Sequence, residues 1–129
     1  KRQSFGYPRR ASSGFPPNRL LLLLAVLEKH TGLSFQDHDV YINVAAGVKV
    51  SEPACDLAVC LALSSSLTGQ ALDPKIAIFG EVGLAGEIRR VSQMDRRQDE
   101  AKRMGYNQIV SPMGYKHVRH LLPLLGVKN

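Results

Sequence analysis

The sequence predicts one mixed α/β domain, α+β in class, with helices packed on a mixed sheet. Three observations predict it. Short segments of β-type pattern alternate with longer segments of helical spacing, in the order strand, helix, strand, helix, strands, helix, strand, helix. That order suits helices covering a sheet. Glycine and proline fall at the borders of these segments, where they end regular structure. The 129 residues suit a single domain, residues 1–129, that buries a core without disulfide staples.

Each element has a local reason. Arg9-Arg10-Ala11-Ser12-Ser13 suits a short strand, and Phe15-Pro16-Pro17-Asn18 a turn with Asn18 as N-cap. A helix is expected over Arg19–His30, ended by Gly32. Leu20, Leu23, Leu24 and Leu27 share one face, and Leu21 and Leu22 widen it, so this helix is expected to be buried on most sides. Val40, Ile42 and Val44 alternate with Tyr41 and Asn43 in a strand over Asp39–Ala46, and Val48–Val50 is expected to continue as an edge. Pro53 opens a second helix at a position where its missing N–H costs little. Glu52 and Asp56 add negative charge near that helix's positive end, and Leu57, Cys60, Leu61, Ser64 and Leu67 form its inner stripe. Lys75–Phe79 reads as a buried strand and Glu87–Val91 as another, with Gly80, Gly83 and Gly86 punctuating the turn between them. Ser92 is expected to cap a helix over Gln93–Met104, closed by Gly105. Asn107–Val110 reads as a strand broken by Ser111-Pro112, and Tyr115–Leu125 as a last short helix containing Pro123.

Composition narrows the function classes. The apolar share of 44% is that of an ordinary globular protein. The apolar run Leu20–Leu27 is bounded by Arg19 and Glu28 and falls far short of the ~20 residues of a membrane span. Lys1 and Arg2 precede polar residues, so no secretory signal is expected. The abrupt start Lys1-Arg2-Gln3 suggests the interior of a longer chain. A net charge of +6 permits nucleic acid, anionic lipid or an acidic protein as partner. Cys55 and Cys60 face different sides of a helix and are expected as free thiols in a reducing cytoplasm.

Several motifs invite chemistry. Gly80, Gly83 and Gly86 have the wrong spacing for either phosphate-binding glycine motif and join two strands, so a tight turn is expected and ATP binding is not. His117 and His120 could face one metal, but Lys116 and Arg119 repel cations, so surface histidines and no metal site are expected. Arg96 with Glu100 and Asp99 with Arg103 have i,i+4 spacing and suggest a solvated helix face. Arg9, Arg10, Arg89 and Arg90 have few acidic neighbours in sequence and suit phosphate contacts. Aromatic residues are sparse, which favours binding to the nucleic-acid backbone over base stacking.

Three ordered blocks then carry a family resemblance. They are Gly6-Tyr7-Pro8-Arg9-Arg10 with Asn18-Arg19-Leu20 and Ala25-Val26-Leu27-Glu28-Lys29; Asp39–Val44 with Ser51-Glu52-Pro53-Ala54 and Asp56-Leu57-Ala58; and Phe79–Leu84 with Gly86-Glu87-Ile88-Arg89. Together they resemble the C-terminal Lon-protease-like domain of the bacterial RadA (Sms) DNA-repair family, across almost the whole chain. The resemblance implies a fold of the ribosomal protein S5 domain 2-like type, with the first strand clipped at Lys1. Lon proteases use a Ser–Lys dyad. Their Gly-Pro-Ser-Ala-Gly aligns with Glu52-Pro53-Ala54-Cys55-Asp56, anchored by Leu67-Thr68-Gly69, which puts Ala54 at the nucleophile. Counting on from Gly86 puts Asp95 at the general base. A methyl group cannot attack a carbonyl, and a carboxylate reverses the charge of the lysine it replaces.

The resemblance implies a larger machine: a hexameric, DNA-dependent RecA-type ATPase with a four-cysteine zinc finger, bacterial, cytoplasmic and nucleoid-associated, acting in recombination and branch migration. ATP, Mg and Zn belong to domains upstream of these residues, and this domain carries no cofactor. Its expected role is DNA binding, single-stranded or branched and mainly through the backbone, plus self-assembly in the parent homo-hexamer, with no membrane. The expected DNA contacts are Arg9, Arg10, Arg19, Lys49, Arg89 and Arg90. Two other readings stand beside it: a peptidase using Cys55 or Ser51, and a scaffold without DNA contact.

Overall fold

The computed structural model describes residues 9–43 and 52–126. Lys49, Ser51 and the expected strand continuation over 44–50 lie outside the described residues, as does the first part of the Gly6–Arg10 block. The order of elements is as expected. β1 (Arg10–Ser13) leads into α1 (Pro17–Thr31) and then β2 (Val40–Asn43). β1 and β2 pair in parallel, with Ala11 opposite Tyr41. Parallel neighbours need a crossover, and α1 is that crossover.

α1 begins two residues earlier than expected. Pro17 occupies its first turn and Pro16 is the N-cap, with no side-chain cap bond. Proline's fixed φ suits the first helical position, so Asn18 is taken inside the helix and does not cap it. Gly32 ends α1 in the left-handed region at φ +78°. Leu20, Leu23, Leu24 and Leu27 are buried as expected. Leu21 is 49% exposed, so the helix is buried on one broad face and open on the other. At 100° per residue, Leu21 points away from its buried neighbours.

A short 3₁₀ turn, Pro53–Cys55, precedes α2 (Asp56–Thr68). Leu57, Cys60, Leu61 and Ser64 of α2 are buried. β3 (Ile76–Ile78) pairs in parallel with β6 (Gln108–Val110), and β4 (Glu81–Val82) pairs antiparallel with β5 (Ile88–Arg89). β3 is half-buried, not buried as expected. The expected mixed sheet is thus seen, among the described residues, as three two-stranded ladders of both senses. Gly80 explains one of the breaks. Its N–H donates to Ala54 C=O (2.9 Å) and its C=O accepts from Leu57 N–H (3.1 Å), so after β3 the chain leaves its pairing with β6 for the start of α2. A Cβ here would meet Leu57, Ile88 and Pro112 at 3.1–3.3 Å, which favours glycine.

α3 (Met94–Arg103) carries most of its surface in solvent, with only Met94 and Ala101 buried. Ser92 does not cap it. Gln93 is the N-cap at φ +56°, and Arg97 Nε donates to the Ser92 carbonyl at 2.8 Å. The expected i,i+4 pairs do not form. Glu100 pairs with Arg103 at i,i+3, and Arg97 reaches Glu52. The last helix is a 3₁₀ helix over Val118–Leu125, starting later than expected because His117 is extended and bridges Glu87. Val118, Leu121 and Leu125 join the leucines of α1 and α2 in one core. Among the described residues no helix is long and apolar enough to cross a membrane.

Candidate functional site

The start of α2 separates two recesses. Ala54, buried at 5% exposure, lines a cleft of about 410 Å³ together with Glu52, Glu81, Arg90, Ser92 and Arg97. Cys55, the next residue, lines a wider groove of about 800 Å³ with Val40, Ile42, Val59 and Leu63. One residue of helical rotation sends the two side chains to different recesses, as the spacing predicts.

The cleft beside Ala54 holds both signs of charge. Arg97 Nη2 lies 3.3 Å from Glu52 Oε2, and Arg90 and Glu81 complete the polar wall. Asp95 is exposed and is not part of this wall. Asp95 thus lies outside the cleft, whose charged lining is Glu52, Glu81, Arg90 and Arg97. Asp95 sits in the first turn of α3 and turns outward, while Arg97 turns inward.

Cys55 is poorly placed for nucleophilic work. Burial and the neighbouring Glu52 and Asp56 carboxylates push its thiol pKa up, against a partial opposing effect of Arg97. A thiolate is the reactive form, so these surroundings suppress it. Cys60 is fully buried, and burial raises its pKa further.

The expected DNA-contacting arginines divide into two groups. Arg19 belongs to the interior. Its Nε donates to Asp56 Oδ1 at 2.5 Å and its Nη2 to Asp56 Oδ2. Asp56 is completely buried and also accepts from the Val82 N–H at 3.2 Å. The hydrogen bond to Asp56 raises the Arg19 pKa, outweighing partial desolvation. Arg10 is likewise committed: its guanidinium donates to the carbonyls of Phe35 (2.8 Å), Arg9 (3.1 Å) and His38. These donors bind α1 and β1 to their neighbours, so Arg19 and Arg10 are largely occupied within the fold, whichever of their remaining N–H groups face outward.

Arg89 is half-committed. Its Nη2 and Nε lie 2.8 and 3.0 Å from Glu87 Oε2, and Nη1 is 3.9 Å from Glu81. The Arg89 guanidinium in turn holds the Glu87 carboxyl below the usual carboxylate range. Arg9 is exposed, with its backbone N–H on Asp39 Oδ1 at 2.8 Å. Arg90 is exposed and has no carboxylate partner among the described residues. The same holds for Arg96 and Lys102 on α3. The sequence places both on a solvated helix face and offers the basic residues of that helix as weaker phosphate contacts. The ring of His117 packs against His30 and His120, with centroids 5.4 and 6.3 Å away. His30 is 87 positions from His117, so no local spacing announces that contact. Among the described residues no group of three or more His, Cys, Asp or Glu could hold a metal ion.

A family model described as subunit ChlI of Mg-chelatase matches residues 23–114, from mid-α1 past β6. DNA repair protein RadA of Halalkalibacterium halodurans is 46% identical over 129 residues, covering 98% of this chain and 28% of that protein. The chain belongs to the ChlI family, in its RadA form. RadA proteins of Brucella abortus and Haemophilus influenzae agree, at 50% identity over 111 residues and 51% over 109, each covering 24% of the relative. The chain spans about a quarter of the length of these curated relatives. The Halalkalibacterium alignment extends beyond the ChlI match to β1 and the last 3₁₀ helix, so the RadA form of the domain accounts for those elements too.

Proposed function

We propose that this chain is a DNA-binding and assembly domain of a DNA repair ATPase, inert in peptide hydrolysis. The observation that carries the reading is a set of exposed cations, Arg90, Arg96 and Lys102, without carboxylate partners among the described residues, on a chain whose relatives are named for DNA repair. Arg90 lies just before α3 and Arg96 in its first turn, so both stand near the positive end of that helix. Phosphates of single-stranded or branched DNA would contact these groups, with Arg9 and the outer edge of Arg89 as further contacts. Lys49 keeps its proposed role.

The rest of the proposed machine lies beyond these residues. A RecA-type ATPase with a zinc finger would supply ATP, Mg and Zn chemistry, and a homo-hexameric ring would use this domain as scaffolding during branch migration in the bacterial cytoplasm. Peptide hydrolysis is disfavoured because Ala54 offers no nucleophile and the Cys55 thiol is held protonated by burial and two carboxylates.

The test is a salt titration of binding to single-stranded and duplex DNA by the chain and by Arg90→Ala with Arg96→Ala. Affinity should fall linearly on a log–log plot, and each lost phosphate contact should reduce the slope by about 0.7–0.9. The loss should be similar for unrelated DNA sequences. Equal slopes for the parent and the double variant would remove α3 from the interface.

A further inference from the structure

The histidine cluster around Gly86 has a geometry that fixes where its protons sit. His117 Nδ1 accepts from the Arg119 N–H at 3.1 Å, so that nitrogen carries no proton. Its Nε2 lies 2.9 Å from the Ala85 carbonyl and must donate to it. His117 is therefore a neutral ring protonated at Nε2, and its side chain caps the 3₁₀ helix Val118–Leu125. His120 repeats the arrangement, with Nδ1 accepting from the Lys116 N–H at 3.3 Å. From α1, His30 Nε2 reaches the Leu84 carbonyl at 3.2 Å.

These bonds tie three parts of the fold together: the end of α1, the turn at 83–86 and the last 3₁₀ helix. The backbone adds Val118 N–H to Gly86 C=O (2.8 Å) and Ile88 N–H to Lys116 C=O (2.9 Å). The packing is close. Gly86 has φ +81°, and a Cβ there would meet His117 at 2.7 Å and His30 at 3.0 Å.

We infer that His117, braced by the rings of His30 and His120, forms a pH-sensitive clamp, closed while His117 is neutral and opened when His117 takes a second proton. A second proton on His117 can enter only at Nδ1. It replaces an acceptor with a donor facing the Arg119 N–H, and so deletes the helix cap. It also places a cation at the positive end of the 3₁₀ helix, beside Arg119, His30 and His120. The opposing charge is small. Glu87, on the strand bridged to His117, is engaged by Arg89 and by the Ala85 N–H, and Lys116 directs its Nζ to the Pro112 carbonyl. Burial lowers the His117 pKa most; the bond to Ala85 partly offsets it, and the positive charge of Arg119 adds to the lowering. A lowered folded-state value means that the unfolded chain binds more protons just below the ordinary histidine pKa of about 6.5. Stability is therefore complete above that pH and declines as pH falls through it.

The experiment is ¹⁵N NMR and amide hydrogen exchange on the whole 129-residue chain. At pH 7.5 the imidazole nitrogens of His117 should report a neutral ring protonated at Nε2. Between pH 7.5 and 5.5, after correction for intrinsic rates, the Gly86, Val118 and Arg119 amides should lose protection by about tenfold or more while α3 amides keep theirs. His117→Asn retains a capping acceptor that cannot titrate and should abolish most of this response. His38→Gln, outside the cluster, should leave it intact. A proton on Nδ1 at pH 7.5, a uniform loss of protection across the chain, or no loss at all would overturn the clamp. So would an unchanged response in His117→Asn; if that variant does not fold, the wild-type titration decides.

Discussion

Asp56 is the most constrained charged residue described in this fold. Its carboxylate is fully out of solvent, fixed by two donors from Arg19 of α1 and one from the Val82 backbone of β4. Isolated burial of a carboxylate is costly, and the cost is offset only while each partner stays in place. Removing Arg19 leaves that charge stranded. Arg19→Ala should therefore lower stability by roughly 3–5 kcal/mol in urea denaturation. A surface arginine that only touched DNA would change stability by less than about 0.5 kcal/mol. The measurement thus separates an internal strut from a nucleic-acid contact. Ala54, two positions earlier, shows the opposite economy: a small apolar side chain whose carbonyl holds Gly80 and whose methyl helps wall the cleft.

Among the elements, α1 and α2 end directly on a left-handed glycine, and α3 reaches its left-handed Gly105 one residue later, after Met104. Gly32 and Gly69 take φ +78° and +72°, and neither has an atom within 4 Å of a would-be Cβ. The demand for glycine is thus one of backbone conformation alone. Gly32→Ala should cost about 1–2 kcal/mol, the price of a left-handed L-residue, with no change in the core. Thermal unfolding of this variant checks it. α3 instead begins at Gln93 in a left-handed conformation and buries little. Its stability rests on side-chain bonds such as Arg97 to the Ser92 carbonyl and Glu52. An element that buries only Met94 and Ala101 leaves the rest of its surface free for a partner, which suits the proposed use of Arg96 and Lys102.

For the whole molecule, the organising feature is that the α2 start lies between the β3–β6 and β4–β5 ladders through Gly80 and Asp56. This placement creates the cleft beside Ala54 and sets its chemistry. Restoring a hydroxyl with Ala54→Ser should yield no peptide hydrolysis, because among the described residues no lysine or histidine lines that cleft to take its proton. Turnover of an unstructured fluorogenic peptide by the purified variant checks this. Any hydrolysis lost again in Arg97→Ala would show that the cleft retains a working base or oxyanion site. Core packing couples the same region to the rest of the fold, since Leu57 and Leu61 of α2 meet Leu20 and Leu27 of α1 and Val118 of the last helix in one cluster.

The sequence by itself determined the order of elements, the leucine face of α1, the inner stripe of α2 and the glycine stops. All of these depend on local periodicity or on the identity of a single residue. It also carried the family, because long ordered blocks survive without knowledge of contacts. Tertiary structure decided which arginines are at work inside. Arg19 and Asp56 stand 37 positions apart, and Arg10 and Phe35 stand 25 apart. Counting acidic neighbours along the chain cannot see such partners, and it misses backbone carbonyl acceptors altogether. The same limit hid the His30–His117 contact and sent Asp95 outward while Arg97 turned in. Charge compensation is a property of distance in space, and only the folded chain sets that distance.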